Sequence, residues 1–142
     1  MSEILKKLNV QIYADGADLK NIIKLNNNNL VKGFTTNPSL MVKSGVNDYE
    51  KYSKKILSNI SNKPVSFEVF GDEDNEIVEQ GKKIASWGKN VYVKVPIINS
   101  KGVSTKKSIE NLIIENINLN ITAIFTKEQV MEILDIINVI SN

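Results

Sequence analysis

The chain has 142 residues and a formal charge of +2, from 18 basic and 16 acidic side chains. This near balance argues against a dedicated nucleic-acid or membrane-surface binder, which would carry a clustered basic excess. The sequence contains no Cys and no His, which excludes disulfides, Cys nucleophiles, Ser-His-Asp triads, Cys/His zinc sites and His general bases. Acid–base chemistry must therefore come from Asp, Glu, Lys or Tyr.

The length and composition are those of an ordinary globular protein. Hydrophobic residues make up 42% and charged residues 24% of the chain, and we expect one domain over residues 1–142. No stretch approaches the ~20 apolar residues of a membrane span. The N-terminus has no apolar run of signal-peptide length, so we expect a cytoplasmic protein.

Five short apolar runs with strand character alternate with amphipathic stretches of helical length. The predicted strands lie at residues 10–17, 31–36, 64–70, 91–97 and 119–125. The predicted helices lie at residues 18–25, 48–58, 75–87, 105–115 and 127–140. A further helix can start just after Pro38. This order predicts five βα units with a parallel sheet and right-handed crossovers, either as a doubly wound open sheet or as a (β/α)8 barrel.

The last predicted helix has a start signal and an apolar stripe. Thr126 is its expected N-cap, because a Thr side chain can accept a hydrogen bond from the first turn. The residues expected to face inward are Val130, Ile133, Leu134 and Ile137.

Polarity along the strands separates the two architectures, because alternate side chains point to opposite faces. The first, third, fourth and fifth strands each have one apolar face. In the fifth strand this face consists of Leu119, Ile121, Ala123 and Phe125. The other face carries a polar or ionisable residue near the C-terminal half. An open sheet covered on both sides would be apolar on both faces, whereas a barrel gathers polar groups at its C-terminal mouth. The pattern favours the barrel and predicts one pocket with Asp15, Glu68, Lys94, Asn120 and Thr122.

Lys94 lies between Val93 and Val95, two residues before Pro96, in an otherwise apolar strand. A single Lys in a short strand is usually an exposed edge residue, but the matching pattern in four strands favours burial. Burial among apolar side chains favours the neutral amine. A neutral amine is the nucleophile that Schiff-base chemistry requires.

Several motifs resemble those of one known family, in the same order and with suitable spacing. The segments YADGADL, GFTTNPSLM, SFEVF, NVYVKVPI and NLNITAIFT are similar to those of the transaldolase family of class I aldolases. The resemblance runs from about Gln11 to about Val130. It implies a (β/α)8 barrel that transfers a dihydroxyacetone unit from a ketose phosphate to an aldose phosphate, without a metal or organic cofactor. A related branch of the family cleaves fructose 6-phosphate.

The resemblance also implies roles for the residues that match the motifs. Lys94 corresponds to the Schiff-base lysine and Asp15 to the aspartate that shuttles a proton at the hydroxyl next to the breaking bond. Glu68 corresponds to the glutamate that holds the catalytic water together with a threonine, here Thr122. Asn120 corresponds to an asparagine that hydrogen-bonds the substrate.

The TTNP turn allows two interpretations. Asn37 matches a substrate-contacting asparagine, but it is equally well a turn residue that fixes the second βα loop. Thr35 and Thr36 are expected to be structural.

A complete barrel has eight βα units, and this sequence provides five. The segment that in the family carries a phosphate-binding Ser and Arg has no counterpart here, and Ile98 replaces a small hydroxyl residue common in relatives. We therefore expect sugar-phosphate substrates, no nucleic-acid or membrane partner, and either a homo-oligomer or a missing C-terminal portion.

Three other functions remain open at this point. The chain could be a non-catalytic remnant that acts as a binding or assembly module, or a fructose-6-phosphate-type aldolase. It could also be another Schiff-base barrel enzyme, such as a deoxyribose-phosphate aldolase, although TTNPSL and the Glu68/Thr122 pair fit that reaction less well.

Overall fold

The structure, a computed structural model, describes residues 9–140, with side chains to residue 138. The chain divides into two compact units, Met1–Val65 and Ser66–Asn142, and each is described by itself. The elements of the first unit are β1 (Ile12–Asp15), α1 (Leu19–Asn26), β2 (Val31–Thr35), α2 (Pro38–Lys43) and α3 (Tyr49–Leu57). Those that follow are β3 (Val65–Glu68), α4 (Asp74–Ala85), β4 (Val91–Pro96), α5 (Lys106–Ile114), β5 (Leu119–Thr122) and α6 (Lys127–Ile140). The predicted alternation of strands and helices is confirmed, and the single domain stays a prediction.

In the first unit, β1 and β2 form a parallel pair in which Asp15 lies opposite Thr35. The helix between them starts at a polar cap, because the side chain of Asp18 accepts a hydrogen bond from the Asn21 N–H at 2.7 Å. Such a cap satisfies one of the backbone donors that the first turn of a helix leaves unpaired. The helix α1 connects the two strands and returns the chain to the start of β2, which runs parallel to β1.

In the second unit, β4 lies between β3 and β5. Its pairing with β5 is parallel, with Lys94 opposite Asn120 and Pro96 opposite Thr122. On the other side, the Val69 N–H donates to the Lys94 carbonyl at 3.1 Å. The register therefore brings the polar residues of three strands to neighbouring positions on one face.

The apolar face of this sheet packs against the helices of the second unit. Phe67, Val93 and Val95 are fully buried there, and the Phe67 ring meets the Trp87 ring edge to face at 5.8 Å. The close approach of α4 and α5 depends on Gly81, because a Cβ at that position would lie 2.8 Å from the Leu112 side chain. Burial of this face supplies the main favourable term in the folding of the unit.

The fifth strand is shorter than the sequence predicts. It ends at Thr122, and Ala123 adopts a left-handed backbone with φ 57°, which ends the alternation of side chains. Phe125 is consequently 88% exposed, so its predicted place on the apolar face is wrong. The chain turns here to start α6, where Thr126 accepts from the Gln129 N–H and the Gln129 side chain accepts from the Thr126 N–H. This reciprocal pair confirms Thr126 as the N-cap.

The apolar stripe of α6 is only partly as predicted. Ile136 is the buried residue and Ile133 is half-buried, whereas Val130, Leu134 and Ile137 are 44–46% exposed. The reason is that α6 is apolar around more than one face, and its neighbour α5 covers one of them. The prediction that all four residues of the stripe face inward is therefore wrong.

Candidate active site

Lys94 and Glu68 form an ion pair on the polar face of the second unit. The Nζ of Lys94 lies 3.5 Å from Oε2 of Glu68, and the two side chains are 14% and 19% exposed. Their strands hold them in place, because the alternating Val residues of β4 anchor the opposite face in the core. An amine that is mostly withdrawn from solvent beside a carboxylate is suited to nucleophilic and proton-transfer chemistry.

Asn120 lies opposite Lys94 in the β4–β5 register, and its side chain reaches back across β4. Its Nδ2 donates to Oγ of Ser66 at 3.1 Å, so the bond joins β3 to β5 over the intervening strand. Neighbouring strands are about 4.8 Å apart, so a direct bond over two spacings requires a concave face. In (β/α)8 barrels the interior side chains of alternate strands meet in this way. The polar face of the second unit therefore has the curvature of a barrel interior.

Thr122 follows Asn120 by two residues and lies on the same face of β5. It is half-buried and lies opposite Pro96 in the register. The backbone holds this strand end in place, because the Thr122 carbonyl accepts from the Ile97 N–H at 3.0 Å. Lys94, Glu68, Asn120 and Thr122 are thus all on the polar face of the three-stranded sheet in the second unit.

The other two predicted residues belong to the first unit. Asp15 is exposed at the end of β1, and its Oδ1 accepts from the Thr35 hydroxyl at 2.8 Å. Asn37 caps α2, because its Oδ1 accepts from the Leu40 N–H at 2.8 Å. Thr36 is fully buried. The helix cap gives Asn37 the structural role in the second βα loop that the turn interpretation expects, and its role toward substrate stays a prediction. Thr35 has a contact with a candidate catalytic carboxylate that the sequence did not indicate.

Ser66 is a residue at this site for which the sequence indicated no role. It is 3% exposed and bonds the amide of Asn120. The available signal was its position two residues before Glu68, which puts both on one face of β3. The strand position of Ser66 does not by itself reveal which side chain its hydroxyl contacts, so position alone does not identify a role.

The loop after β3 and the loop after β4 are joined by hydrogen bonds between Asp72 and Ser100. Both carboxylate oxygens of Asp72 accept from Ser100, one from the N–H and one from the hydroxyl, each at 2.7 Å. The Ser100 hydroxyl and N–H, with help from Lys101, hold the pKa of Asp72 below its usual value. The hydrogen bond and charge of Glu73 raise the pKa of Lys101. Ile98, at the start of the second loop, is 38% exposed.

Within residues 9–140, no group of three or more acidic side chains is arranged to hold a metal ion. None of the described helices is long and apolar enough to cross a membrane.

The chain is similar to proteins of known family. The model of the Transaldolase/Fructose-6-phosphate aldolase family matches residues 12–141. Over 120 residues the chain is 37% identical to a probable transaldolase 2 of Listeria monocytogenes, covering 84% of this chain and 52% of the relative. It is 33% identical over 122 residues to a probable transaldolase of Maridesulfovibrio salexigens, covering 86% and 54%, and 35% identical to one of Nitrosopumilus maritimus, covering 86% and 52%. The chain thus spans about half the length of these relatives.

Proposed function

Because this chain belongs to the transaldolase/fructose-6-phosphate aldolase family, and its βα units are part of a (β/α)8 barrel, we propose a transaldolase-like function. The chain contributes to the transfer of a dihydroxyacetone unit between sugar phosphates through a Schiff base on Lys94. The proposed donor and acceptor pairs are sedoheptulose 7-phosphate with glyceraldehyde 3-phosphate and fructose 6-phosphate with erythrose 4-phosphate. The proposal includes a role in the pentose phosphate pathway and a cytoplasmic location. The observation that carries the proposal is the mostly buried Lys94 amine, 3.5 Å from Glu68.

The first half of the reaction forms an electron sink. Glu68, beside the amine, takes a proton from the Lys94 ammonium. The neutral amine adds to the ketone carbon, and the carbinolamine loses water to give an iminium. Glu68 and Thr122 hold the water that carries protons during this step. An ordered water between a carboxylate and a hydroxyl can serve as the acid and base without His.

The second half breaks and remakes a carbon–carbon bond. Asp15 takes the proton from the hydroxyl next to the bond, the aldose leaves, and the bonding electrons enter the iminium to form an enamine. The enamine adds to the acceptor aldehyde, and Asp15 returns its proton to the new alkoxide. Water then hydrolyses the new iminium to release the ketose and the amine. Asn37 and Asn120 hold hydroxyl groups of the sugar, so the reacting carbon stays in line with the amine.

The proposal is tested by trapping the iminium. Wild-type protein is incubated with fructose 6-phosphate or dihydroxyacetone, reduced with borohydride and examined by intact mass. We expect one adduct per chain in the wild type and none in Lys94→Arg, which keeps the charge but removes the nucleophile. Lys54→Arg is the matched control, because Lys54 forms an exposed ion pair with Glu50. A folded wild-type sample that gives no adduct contradicts the proposal.

Transfer and cleavage are separated by the acceptor. Transfer predicts that fructose 6-phosphate yields glyceraldehyde 3-phosphate only slowly until erythrose 4-phosphate is added, when sedoheptulose 7-phosphate appears. Acceptor-independent release of glyceraldehyde 3-phosphate would instead assign the chain to the fructose-6-phosphate aldolase reaction.

A second candidate is a non-catalytic assembly module. The observation that favours it is the set of exposed apolar side chains at the end of the described chain: Phe125, Val130, Met131, Leu134 and Ile137. Light scattering after gel filtration measures the assembly. A monodisperse oligomer that forms no reducible adduct would support this candidate over catalysis.

A further inference from the structure

Ser66 is a buried hydroxyl on the same strand face as Glu68, and it has no role in the chemistry derived above. It is 3% exposed, and its Oγ accepts the 3.1 Å hydrogen bond from Nδ2 of Asn120. The two residues come from strands on either side of β4. The bond therefore depends on the curvature of the face as well as on the two side chains.

This bond sets which end of the Asn120 amide is available to a ligand. The terminal torsion of an Asn side chain has broad, roughly two-fold preferences, so an amide without a fixed partner can exchange its NH2 group and its oxygen. With Nδ2 bound to Ser66, the carbonyl oxygen Oδ1 is the group that remains to accept a hydrogen bond. Such an acceptor suits a sugar hydroxyl, which is a donor as well as an acceptor.

We propose that Ser66 is a positioning residue that fixes the amide of Asn120, so that Oδ1 accepts a hydrogen bond from a hydroxyl of the ketose bound at Lys94. The inference rests on the proposed function, because it names a ketose as the ligand. Register supports it, since Asn120 lies directly opposite Lys94. A hydroxyl held there is next to the carbon that the amine attacks.

The competing explanation is that Ser66 only satisfies a buried polar group, and the chain offers a matched control for that effect. Ser108 is also fully buried in the second unit, and its hydroxyl donates to Oδ1 of Asp74 at 2.6 Å. Ser108→Ala thus removes a buried serine hydrogen bond on helix α5, away from the polar face. Any effect that both variants share is structural, and an effect confined to Ser66→Ala is specific to Asn120.

The kinetic test measures borohydride trapping as a function of fructose 6-phosphate concentration. Loss of one hydrogen bond in Ser66→Ala is expected to raise the half-saturating concentration about two- to tenfold, whereas Ser108→Ala leaves it unchanged. Ser66→Ala with Asn120→Ala is expected to match Asn120→Ala alone, because the two residues act as a unit. A Ser66→Ala curve equal to wild type, or effects of the two substitutions that add, would overturn the proposal.

A second measurement reports the amide without any reaction. In 15N NMR spectra, the side-chain NH2 signal of Asn120, assigned by its loss in Asn120→Asp, is expected to shift and exchange faster with water in Ser66→Ala but not in Ser108→Ala. An unchanged signal overturns the positioning role. If wild type forms no adduct, the proposed function fails and the sugar-binding part of this inference with it, while a shifted signal still shows that Ser66 orients the amide. If wild type forms an adduct, and Ser66→Ala changes neither the trapping curve nor the Asn120 signal, only this inference fails.

Discussion

The two faces of the three-stranded sheet in the second unit differ sharply in composition. Towards the helices, Phe67, Val93 and Val95 are fully buried, with only apolar neighbours along each strand face. On the opposite face, Lys94 is paired with Glu68 and the amide of Asn120 with a serine. Adjacent residues in one strand therefore point to faces with different compositions. The apolar face supplies stability, and the polar face holds an ion pair and a hydrogen-bonded amide.

The largest expected effect is the loss of adduct formation in Glu68→Gln, on the polar face. The substitution keeps the shape of the side chain but removes the carboxylate beside the amine. We expect adduct formation with fructose 6-phosphate to slow by about 10²-fold or more, the range typical of a lost general acid–base group. The rate of borohydride trapping measures it.

The control for Glu68→Gln is the same change at Glu110, whose carboxylate lies 3.9 Å from the Lys106 amine in an exposed pair. Exposed pairs contribute about 0–1 kcal/mol, so Glu110→Gln should change neither trapping nor stability appreciably. Equal trapping rates for the two variants would contradict a chemical role for Glu68.

The next largest expected effect is a loss of stability in Phe67→Ala, on the apolar face. Removing this ring leaves a cavity against Trp87 and should lower the free energy of unfolding by about 3–5 kcal/mol. The neighbouring change, Ser66→Ala, should cost only about 1 kcal/mol, the value of one hydrogen bond. Urea unfolding followed by the fluorescence of Trp87, the single tryptophan of the chain, reports both. If the free energy of unfolding falls equally in the two variants, the claim that the apolar face supplies most of the stability is wrong.

The smallest expected effect is on the helix cap at Asn37 in the first unit, a residue for which a stabilising and a substrate-binding role can be tested together. Asn37→Ala should lower the free energy of unfolding by about 1 kcal/mol through loss of the α2 cap, and Asn37→Ser should restore most of it. Urea unfolding followed by circular dichroism checks this. If Asn37 also holds substrate, both variants require more fructose 6-phosphate for half-maximal trapping. Trapping by Asn37→Ser that equals wild type would reduce Asn37 to a cap.

The alternation of polar and apolar residues explains why so much of the second unit was predictable. Period-two patterning fixes which residues of β3 and β4 enter the core, and it puts Glu68 and Lys94 on the opposite, polar face. Thr126 was identifiable because a helix start is a local event. In each case the information lies within a few residues of the feature.

The features that the sequence did not reveal depend on contacts distant in the chain. The Ser66–Asn120 bond spans 54 positions and requires a concave face, which no local pattern encodes. The end of β5 depends on one left-handed residue, Ala123, a conformation that alanine rarely adopts. The exposure of Leu134 depends on which neighbours α6 has, so an apolar stripe alone overstates its burial.

The central claim is that the polar face makes one amine reactive among the eighteen lysines of the chain. Its most direct test is to reduce the folded protein with borohydride in the presence of fructose 6-phosphate, digest it, and measure the modified fraction at each lysine, with urea-unfolded protein as reference. We predict modification concentrated at Lys94 in the folded protein and no preference for it in urea. Modification spread over the exposed lysines of the folded protein, with Lys94 spared, would contradict the account.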